Sequence, residues 1–414
     1  MLVVGAGPTG LVLANLLCRG GFKPLVVERL AAGQNTSRAA VMHAHTLDVL
    51  DRIDVSGRLV REGLRLDSFC VRDGDATLTR LKFDRLPTSN ACLLMIPQDR
   101  TEAILRQALA EQGGEIRWGT SLVALQQGPD GVEAQLASPD RELRVRSRYV
   151  IGADGMKSAV REAVGIGFTG STYEAMFVLA DIDLEWPLGQ TEVNLFFSPP
   201  GPVVVAPLPG GRFRVVASLA DAPEHPQAGD IEAILNSRGP ATGTCRVPRV
   251  HWSSRFRLHH RVADRYRAGR AFLIGDAAHV HSPAGGQGMN TGLVDAYVLG
   301  SMLVEVLAGR QVDAYLDEYE ALRRPAAKKV LALAGRLTAA AMLKPPAARG
   351  LRNLVFRIIG ALPPMRRRLV MNLSGLSRQE AGVVPGLANG AAQARQPAGG
   401  DPHPCLGLPW TRSP

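Results

Sequence analysis

Leu2-Val3-Val4-Gly5-Ala6-Gly7-Pro8-Thr9-Gly10 is the stretch that decides the fold. Leu2–Val4 reads as a short apolar strand, the glycines as a tight turn, Thr9–Arg19 as a helix and Pro24–Glu28 as the next strand. Strand, turn, helix and strand make a βαβ unit, and such a unit commits the chain to a parallel sheet. The turn has the spacing G-x-G-x-x-G. Gly5 permits the tight bend, Gly7 lets backbone approach a pyrophosphate held at the helix N-terminus, and Gly10 lets helix and strand pack closely. Glu28 ends the second strand 18 residues after Gly10, where a carboxylate accepts hydrogen bonds from the hydroxyls of an adenosine ribose. The turn by itself does not distinguish FAD from NAD.

Outward from this unit, Ala40–Asp54 reads as a second helix, with Val41, Leu47, Val49 and Leu50 on its apolar side. Two β-rich stretches follow, at 64–97 and 168–258. The second contains the runs Met176–Ile182, Glu192–Phe197, Val203–Leu208 and Phe213–Ser218 between Gly/Pro turns. Between the two stretches, Thr101–Glu111 reads as a helix and Glu115–Trp118, Leu122–Gln126 and Val132–Leu136 as strands. The chain returns to the nucleotide sheet at Tyr149–Ile151 and again at Ala271–Ile274, and from Gly288 to about Ser377 it is mostly helical. The last thirty residues, 385–414, contain eleven Gly or Pro and read as disordered or as a linker. No internal repeat is visible.

The 414 residues suggest two or three domains, and the 46% apolar and 21% charged shares are ordinary globular values. No run approaches the ~18 uninterrupted apolar residues of a membrane span, and the N-terminus has no signal-peptide pattern. Cys18, Cys70, Cys92, Cys245 and Cys405 are odd in number and scattered, which fits a reducing, cytoplasmic compartment and argues against a disulfide framework or a zinc site. The net charge of +10 is spread along the chain rather than gathered, which speaks against a nucleic-acid partner. A bulk positive field favours anionic ligands such as dinucleotide phosphates.

Two further motifs stand at strand ends. Gly152-Ala153-Asp154-Gly155 precedes Lys157-Ser158-Ala159-Val160-Arg161, and Gly275-Asp276-Ala277-Ala278-His279 follows the strand Ala271–Ile274. Pro283-Ala284-Gly285-Gly286-Gln287-Gly288-Met289-Asn290 then opens a helix. Asp276, at the end of a strand, suits a hydrogen bond from a ribityl hydroxyl. Gly285, Gly286 and Gly288 suit backbone lying flush against a flat ring, and a helix starting near Gly288 aims N–H groups at an anionic ring edge.

With these three motifs in order, the chain resembles the class A flavoprotein monooxygenases, the p-hydroxybenzoate hydroxylase-like family, over about residues 1–380. It looks most like the aromatic polyketide and phenol hydroxylase branch. The resemblance implies an α/β fold. A Rossmann-like, glutathione reductase-type FAD domain would comprise 1–63, 98–167 and 259–340. A β-sheet substrate domain of 64–97 and 168–258 would be inserted in it, followed by C-terminal helices at 341–384 and a tail at 385–414 that reads as a remnant of the branch's thioredoxin-like domain. It implies non-covalent FAD held through Gly5, Gly7, Gly10, Glu28 and Arg29 at the ADP end and Arg38 and Gln98 near the flavin. Asp154 would serve both FAD and NAD(P)H, Gly275 and Asp276 the ribityl chain, and Pro283, Gly286, Gly288, Met289 and Asn290 the isoalloxazine ring. Arg323-Arg324-Pro325 resembles the family's late arginine-rich stretch, a structural feature.

The cycle so implied has NADPH or NADH reduce the flavin and O2 add to it as a C4a-hydroperoxide; one oxygen atom passes to an electron-rich aromatic ring and the other leaves as water. The other readings are an FAD oxidoreductase that inserts no oxygen and an inactive FAD-binding homologue. The expected partners are a small aromatic substrate, O2 and NAD(P)H, in a monomer or homodimer. Three departures from the family pattern are a first strand of only Met1–Val4, His45 where many members carry arginine, and a thirty-residue tail where the branch often has a third, thioredoxin-like domain. No residue is identified as a catalytic base.

Other residues are tempting but weaker. His259, His260, His279 and His281 lack the converging spacing of metal ligands, so no metal is expected. Ser158 lies in no G-x-S-x-G elbow. Phe196, Phe197 and Phe213 suit either a substrate pocket or an ordinary sheet core. The basic amphipathic stretch Leu351–Leu373 suits packing on the domain or contact with a membrane surface.

Overall fold

Leu2–Val4, Leu25–Val27, Val150–Gly152 and Ala271–Leu273 are three-residue apolar strands, almost wholly buried, as parallel strands covered on both faces must be. In the computed structural model, which describes residues 1–33, 39–219 and 222–377, they lie side by side. The six-stranded sheet runs Arg267–Ala268, Ala271–Leu273, Val150–Gly152, Leu2–Val4, Leu25–Val27, Ile116–Arg117. All its pairings are parallel except that of the edge strand Arg267–Ala268. The helix Pro8–Arg19 starts with Pro at its first position, where no backbone donor is needed, and carries Arg19 in its last turn. It packs against Gln98–Glu111 and Gln287–Leu307. The last of these, 21 residues long, is long and apolar enough to cross a membrane, yet it is mostly buried and serves as a core helix.

A second, eight-stranded sheet is built around two 18-residue strands, Phe168–Glu185 and Arg246–Ala263, paired antiparallel. It continues through Phe213–Leu219, Val203–Pro207, Val193–Phe196, Ser68–Asp73 and Ala76–Lys82, and ends on the other side at His279–Val280. One face carries Val178, Ala180, Ile182, Phe196, Phe213 and Val215 under the helix Ala228–Arg238. The other face, through Leu81, Val193, Ala206 and Leu208, packs with Ala40, Met95 and Leu373. Phe196 and Phe213 are therefore core under a helix, and Phe197 packs with Val71, Leu78 and Phe356.

The structure departs from the sequence expectations in four places. Ala40–Asp54 is not one helix: Val41–His43 is a strand and the helix runs from Ala44 to Asp51. Val41–His43 pairs with Leu93–Met95, which also pairs with Leu64–Leu66, so that tertiary pairing overrides the local helical pattern. For the same reason, segment 64–97 is divided between this small sheet and the large one. The helix Ala228–Arg238 and the strand Glu142–Ser147 were not legible; the strand completes a three-stranded antiparallel sheet with Ser121–Gly128 and Gly131–Ala137. The expectations for Arg38 and for 385–414 lie outside the described residues.

Candidate functional site

Four of the parallel strands end at one edge of the six-stranded sheet, and each sequence motif begins where its strand ends. Ligands of open α/β sheets bind outside this carboxyl edge. Gly5 N donates to Val27 O, Ala153 N to Val4 O and Ile274 N to Gly152 O, so the three turns are laced to one another's strands. Gly5 has φ +106°, open to glycine alone, and a Cβ there would stand 2.3 Å from Ala153 O. A Cβ on Gly10 would stand 2.1 Å from Gly5 O. Gly7 differs: its φ of −71° suits any residue, and a Cβ built on it meets nothing within 4 Å. Space in front of Gly7 at a helix N-terminus is what a close-approaching anion requires.

Glu28 turns back over this loop. Its carboxylate accepts from Ala6 N at 2.8 Å and Leu30 N at 3.1 Å. A carboxylate offers about four acceptor positions, so capacity remains for hydroxyl donors. Arg29 beside it is exposed. In the second motif, Asp154 Oδ2 accepts from Val160 N at 3.2 Å, whereas the buried Oδ1 has no partner among the described residues. Burial pushes the Asp154 carboxyl up, against the hydrogen bonds from Ser158 and Val160. An orphaned, desolvated carboxylate oxygen beside a phosphate-type turn is a ready acceptor for a ligand N–H or O–H. Ser158 is a helix N-cap that accepts from Arg161 N. The Arg161 guanidinium donates to Ala277 O at 3.0 Å and Met156 O at 2.8 Å, tying the second motif to the third.

In the third motif, Gly275–Ala277 is a 3-10 turn from which Asp276 is exposed. Beneath it lies a buried ion cluster that the sequence reading missed. Asp295, wholly buried, accepts from His279 Nε2 at 2.6 Å, Arg323 Nε at 2.7 Å and Gly275 N at 3.3 Å. Burial pushes its carboxyl up, but the Arg323 guanidinium and His279 outweigh that and hold it below the usual carboxylate range. Tyr266 stacks on the His279 ring at 6.2 Å. One signal was available: Asp295 stands among apolar residues, between Leu293-Val294 and Ala296, in a helical run, and a buried charge needs a partner.

The Pro283–Asn290 segment sits beside the small sheet. Gly286, the N-cap of the helix Gln287–Leu307, has φ +63°, and a Cβ there would meet Val41 Cγ1 at 2.0 Å; one on Gly285 would meet Leu373 Cδ2 at 3.1 Å. The missing Cβ atoms at 285 and 286 thus face protein, and the left-handed backbone at both positions (φ +80° and +63°), with close packing on the Val41 strand and the last helix, accounts for glycine there. A Cβ built on Gly288 would come no closer than 3.9 Å to the nearest atom beyond its own turn, His281 Cε1. Asn290 is buried and its amide is fully engaged with backbone: Oδ1 accepts from His43 N at 2.8 Å, and Nδ2 donates to Val41 O at 2.9 Å and Gly286 O at 2.7 Å. Pro283 is exposed and Met289 half-buried. Gln98 accepts from Ala39 N at 3.4 Å and donates to Glu102 at 2.9 Å, which sets it against the same loop. The large sheet reaches this loop through Arg214, which is held by Asp181 at 2.7 Å and donates to Ala39 O at 2.9 Å. Among the predicted residues within the described range, the structure thus brings Gly5, Gly7, Gly10, Glu28, Asp154, Gly275 and Asp276 to one sheet edge. Gln98 and the 283–290 segment gather around Ala39–His43.

The FAD binding domain family model matches residues 1–334. The 6-methylpretetramide 4-monooxygenase of Streptomyces rimosus is 34% identical over 406 residues, 95% of this chain and 72% of that protein. The pentachlorophenol 4-monooxygenase of Sphingobium chlorophenolicum is 34% identical over 338 residues; the match takes in 80% of this chain and 63% of that protein's length, less than two thirds of it. Among solved structures, the p-nitrophenol 4-monooxygenase of Pseudomonas putida DLL-E4 superposes with a TM-score of 0.85 at 25% identity, covering 92% of this chain and 98% of that one.

Proposed function

The chain belongs to the FAD-binding class A aromatic hydroxylases, the p-hydroxybenzoate hydroxylase-like flavoprotein monooxygenases, and from that premise we propose that it hydroxylates a phenolic or polyketide-like aromatic ring with NAD(P)H and O2. The observation that carries the reading is the sheet edge where the open face of Gly7, the spare acceptors of Glu28 and the orphaned Asp154 oxygen stand together. These are the groups a dinucleotide needs: backbone N–H for the pyrophosphate, a carboxylate for the ribose, and a further buried acceptor. Bound FAD would supply the electron transfer from NAD(P)H and the activation of O2.

The chain's own residues would do the rest. Gly7 and the first turn of Pro8–Arg19 would hold the pyrophosphate, Glu28 the adenosine ribose, and Asp276 the ribityl chain. The start of Gln287–Leu307 would direct backbone N–H groups at the anionic edge of the reduced ring. We place the substrate between this segment and the sheet face that carries Asp181 and Arg214, with the large sheet as a substrate-bearing layer. The phenols in two relatives' names support a phenolic ring as the acceptor. The scattered free cysteines among the described residues support a cytoplasmic location.

The test is a screen of phenols and fused-ring phenolic compounds against the purified yellow protein. The expected result is stimulated NADPH or NADH oxidation with 18O from 18O2 in the product. Stimulated oxidation without label in any product would favour an oxidoreductase that inserts no oxygen, and a colourless protein that takes up no FAD would refute the cofactor assignment itself.

A further inference from the structure

The helix Pro346–Ala361 is amphipathic in an unusual sense: both of its long faces carry large side chains, but among the described residues only one face packs on protein. Inward, Arg352 lies over the Phe197 ring at 4.1 Å, Phe356 packs edge-on against the same ring at 5.2 Å, and Asn353 donates to Asp73. Gly360 approaches the strand Ala76–Lys82 so closely that a Cβ would stand 2.8 Å from Thr79 Oγ1. Outward, Leu351, Leu354, Val355 and Ile358 follow the spacing i, i+3, i+4, i+7 of a single helical stripe and are 42–64% exposed. The stripe runs on through exposed Leu362 and Met365 into the helix Pro363–Leu373. An apolar stripe of this length is not ordinary surface for a helix whose opposite face already anchors it.

The charge on the helices that carry the stripe is one-sided. Arg357, Arg366, Arg367 and Arg368 are exposed beside it, and an open groove next to it is lined by Pro363, Pro364, Arg367, Arg368 and Met371. No Asp or Glu stands between Glu320 and Glu380, a stretch holding thirteen Arg or Lys. A second copy of the same patch is a poor partner, because a two-fold contact would set the arginine cluster near its own copy. An apolar stripe flanked by arginines, on two helices that themselves carry no Asp or Glu, matches the layered chemistry of an anionic bilayer surface: acyl chains for Leu351, Leu354, Ile358 and Leu362, phosphate headgroups for Arg366–Arg368.

We propose that the corner formed by Pro346–Ala361 and Pro363–Leu373 docks this protein reversibly on anionic lipid membranes. The proposal is independent of the substrate reading and concerns surface association rather than a span.

The test is co-sedimentation of the full chain with vesicles of phosphatidylglycerol and phosphatidylcholine, and of phosphatidylcholine alone. The expected result is at least about tenfold tighter association with the anionic vesicles, weakened as ionic strength rises from about 0.1 M to about 1 M and the screening length falls from ~10 Å to ~3 Å. A Leu354→Asp/Ile358→Asp variant, altered only at exposed positions, should lose vesicle binding while keeping its melting temperature and flavin content. Equal association with both vesicle types, no association with either, or full retention of binding in the variant each overturns the proposal. So does a dimer in sedimentation velocity that the variant abolishes while lipid binding is absent, a result that would assign the stripe to a second copy.

Discussion

Asp295 shows how much of the cofactor edge depends on a residue wholly buried beneath it. Its carboxylate holds Gly275 N–H, His279 and Arg323 in one buried cluster directly under the exposed Asp276. Removing one member of such a cluster leaves the others desolvated without compensation, at a cost of about 3–5 kcal/mol. Asp295→Asn should therefore lower stability by that order in urea unfolding of the apoprotein. The pH dependence carries a sign as well. Because the folded chain holds this carboxyl below its ordinary value, the stabilisation is complete above the unfolded carboxylate pKa of about 4 and is lost as pH falls through the lowered folded value. The variant should show a flatter acid limb than the wild type between about pH 5 and pH 2. Equal stability at pH 7, or an unchanged acid limb, would remove Asp295 from this account.

At the scale of elements, the start of Gln287–Leu307 is fixed by Asn290, whose amide joins Gly286 O, Val41 O and His43 N. Asn290→Ala would leave a buried backbone donor and two carbonyls to find other partners, at a cost of about 1–3 kcal/mol each for groups that find none. Thermal unfolding of the apoprotein should register the loss, and flavin affinity should fall with it as the loop carrying Gly285 and Gly286 loosens; a variant with wild-type melting temperature and affinity contradicts the clamp. The same elements mark what was legible. The βαβ unit was readable because its strands are continuous apolar runs and its turn must be glycine. Val41–His43 was not, because its identity comes from Leu93–Met95, fifty residues away in sequence. Ala228–Arg238 hid within a β-rich segment: Ile231, Ile234 and Leu235 do follow helical spacing, but the signal that starts the helix is a capping box between Gln227 and Asp230, a side chain seldom used in that role. Phe196 and Phe213 were ambiguous because sequence alone does not say which face of a strand a helix will cover.

Across the whole molecule, the sheet order brings together motifs from residues 5, 154 and 275 that are more than a hundred residues apart, because parallel strands deliver their carboxyl ends to one edge. The eight-stranded sheet is then set against that edge through Arg214 and the Ala39–Ala40 backbone. The candidate site was legible from sequence to the extent that it consists of turns at strand ends. The supports that aim those turns, Asp295, Arg161 and Asp181–Arg214, were not, since each pairs residues that only the folded chain makes neighbours.

The claim on which the rest depends is that the space before Gly7 is kept for a cofactor rather than by the fold. Titration of FAD into apoprotein carrying Gly7→Ala tests it directly. The backbone at Gly7 suits alanine and the new methyl meets no protein atom, so the apoprotein should be as stable as wild type or up to about 1 kcal/mol more stable. FAD affinity should nevertheless fall at least about tenfold, or ~1.4 kcal/mol. An alanine variant that binds FAD as tightly as the wild type would contradict the account.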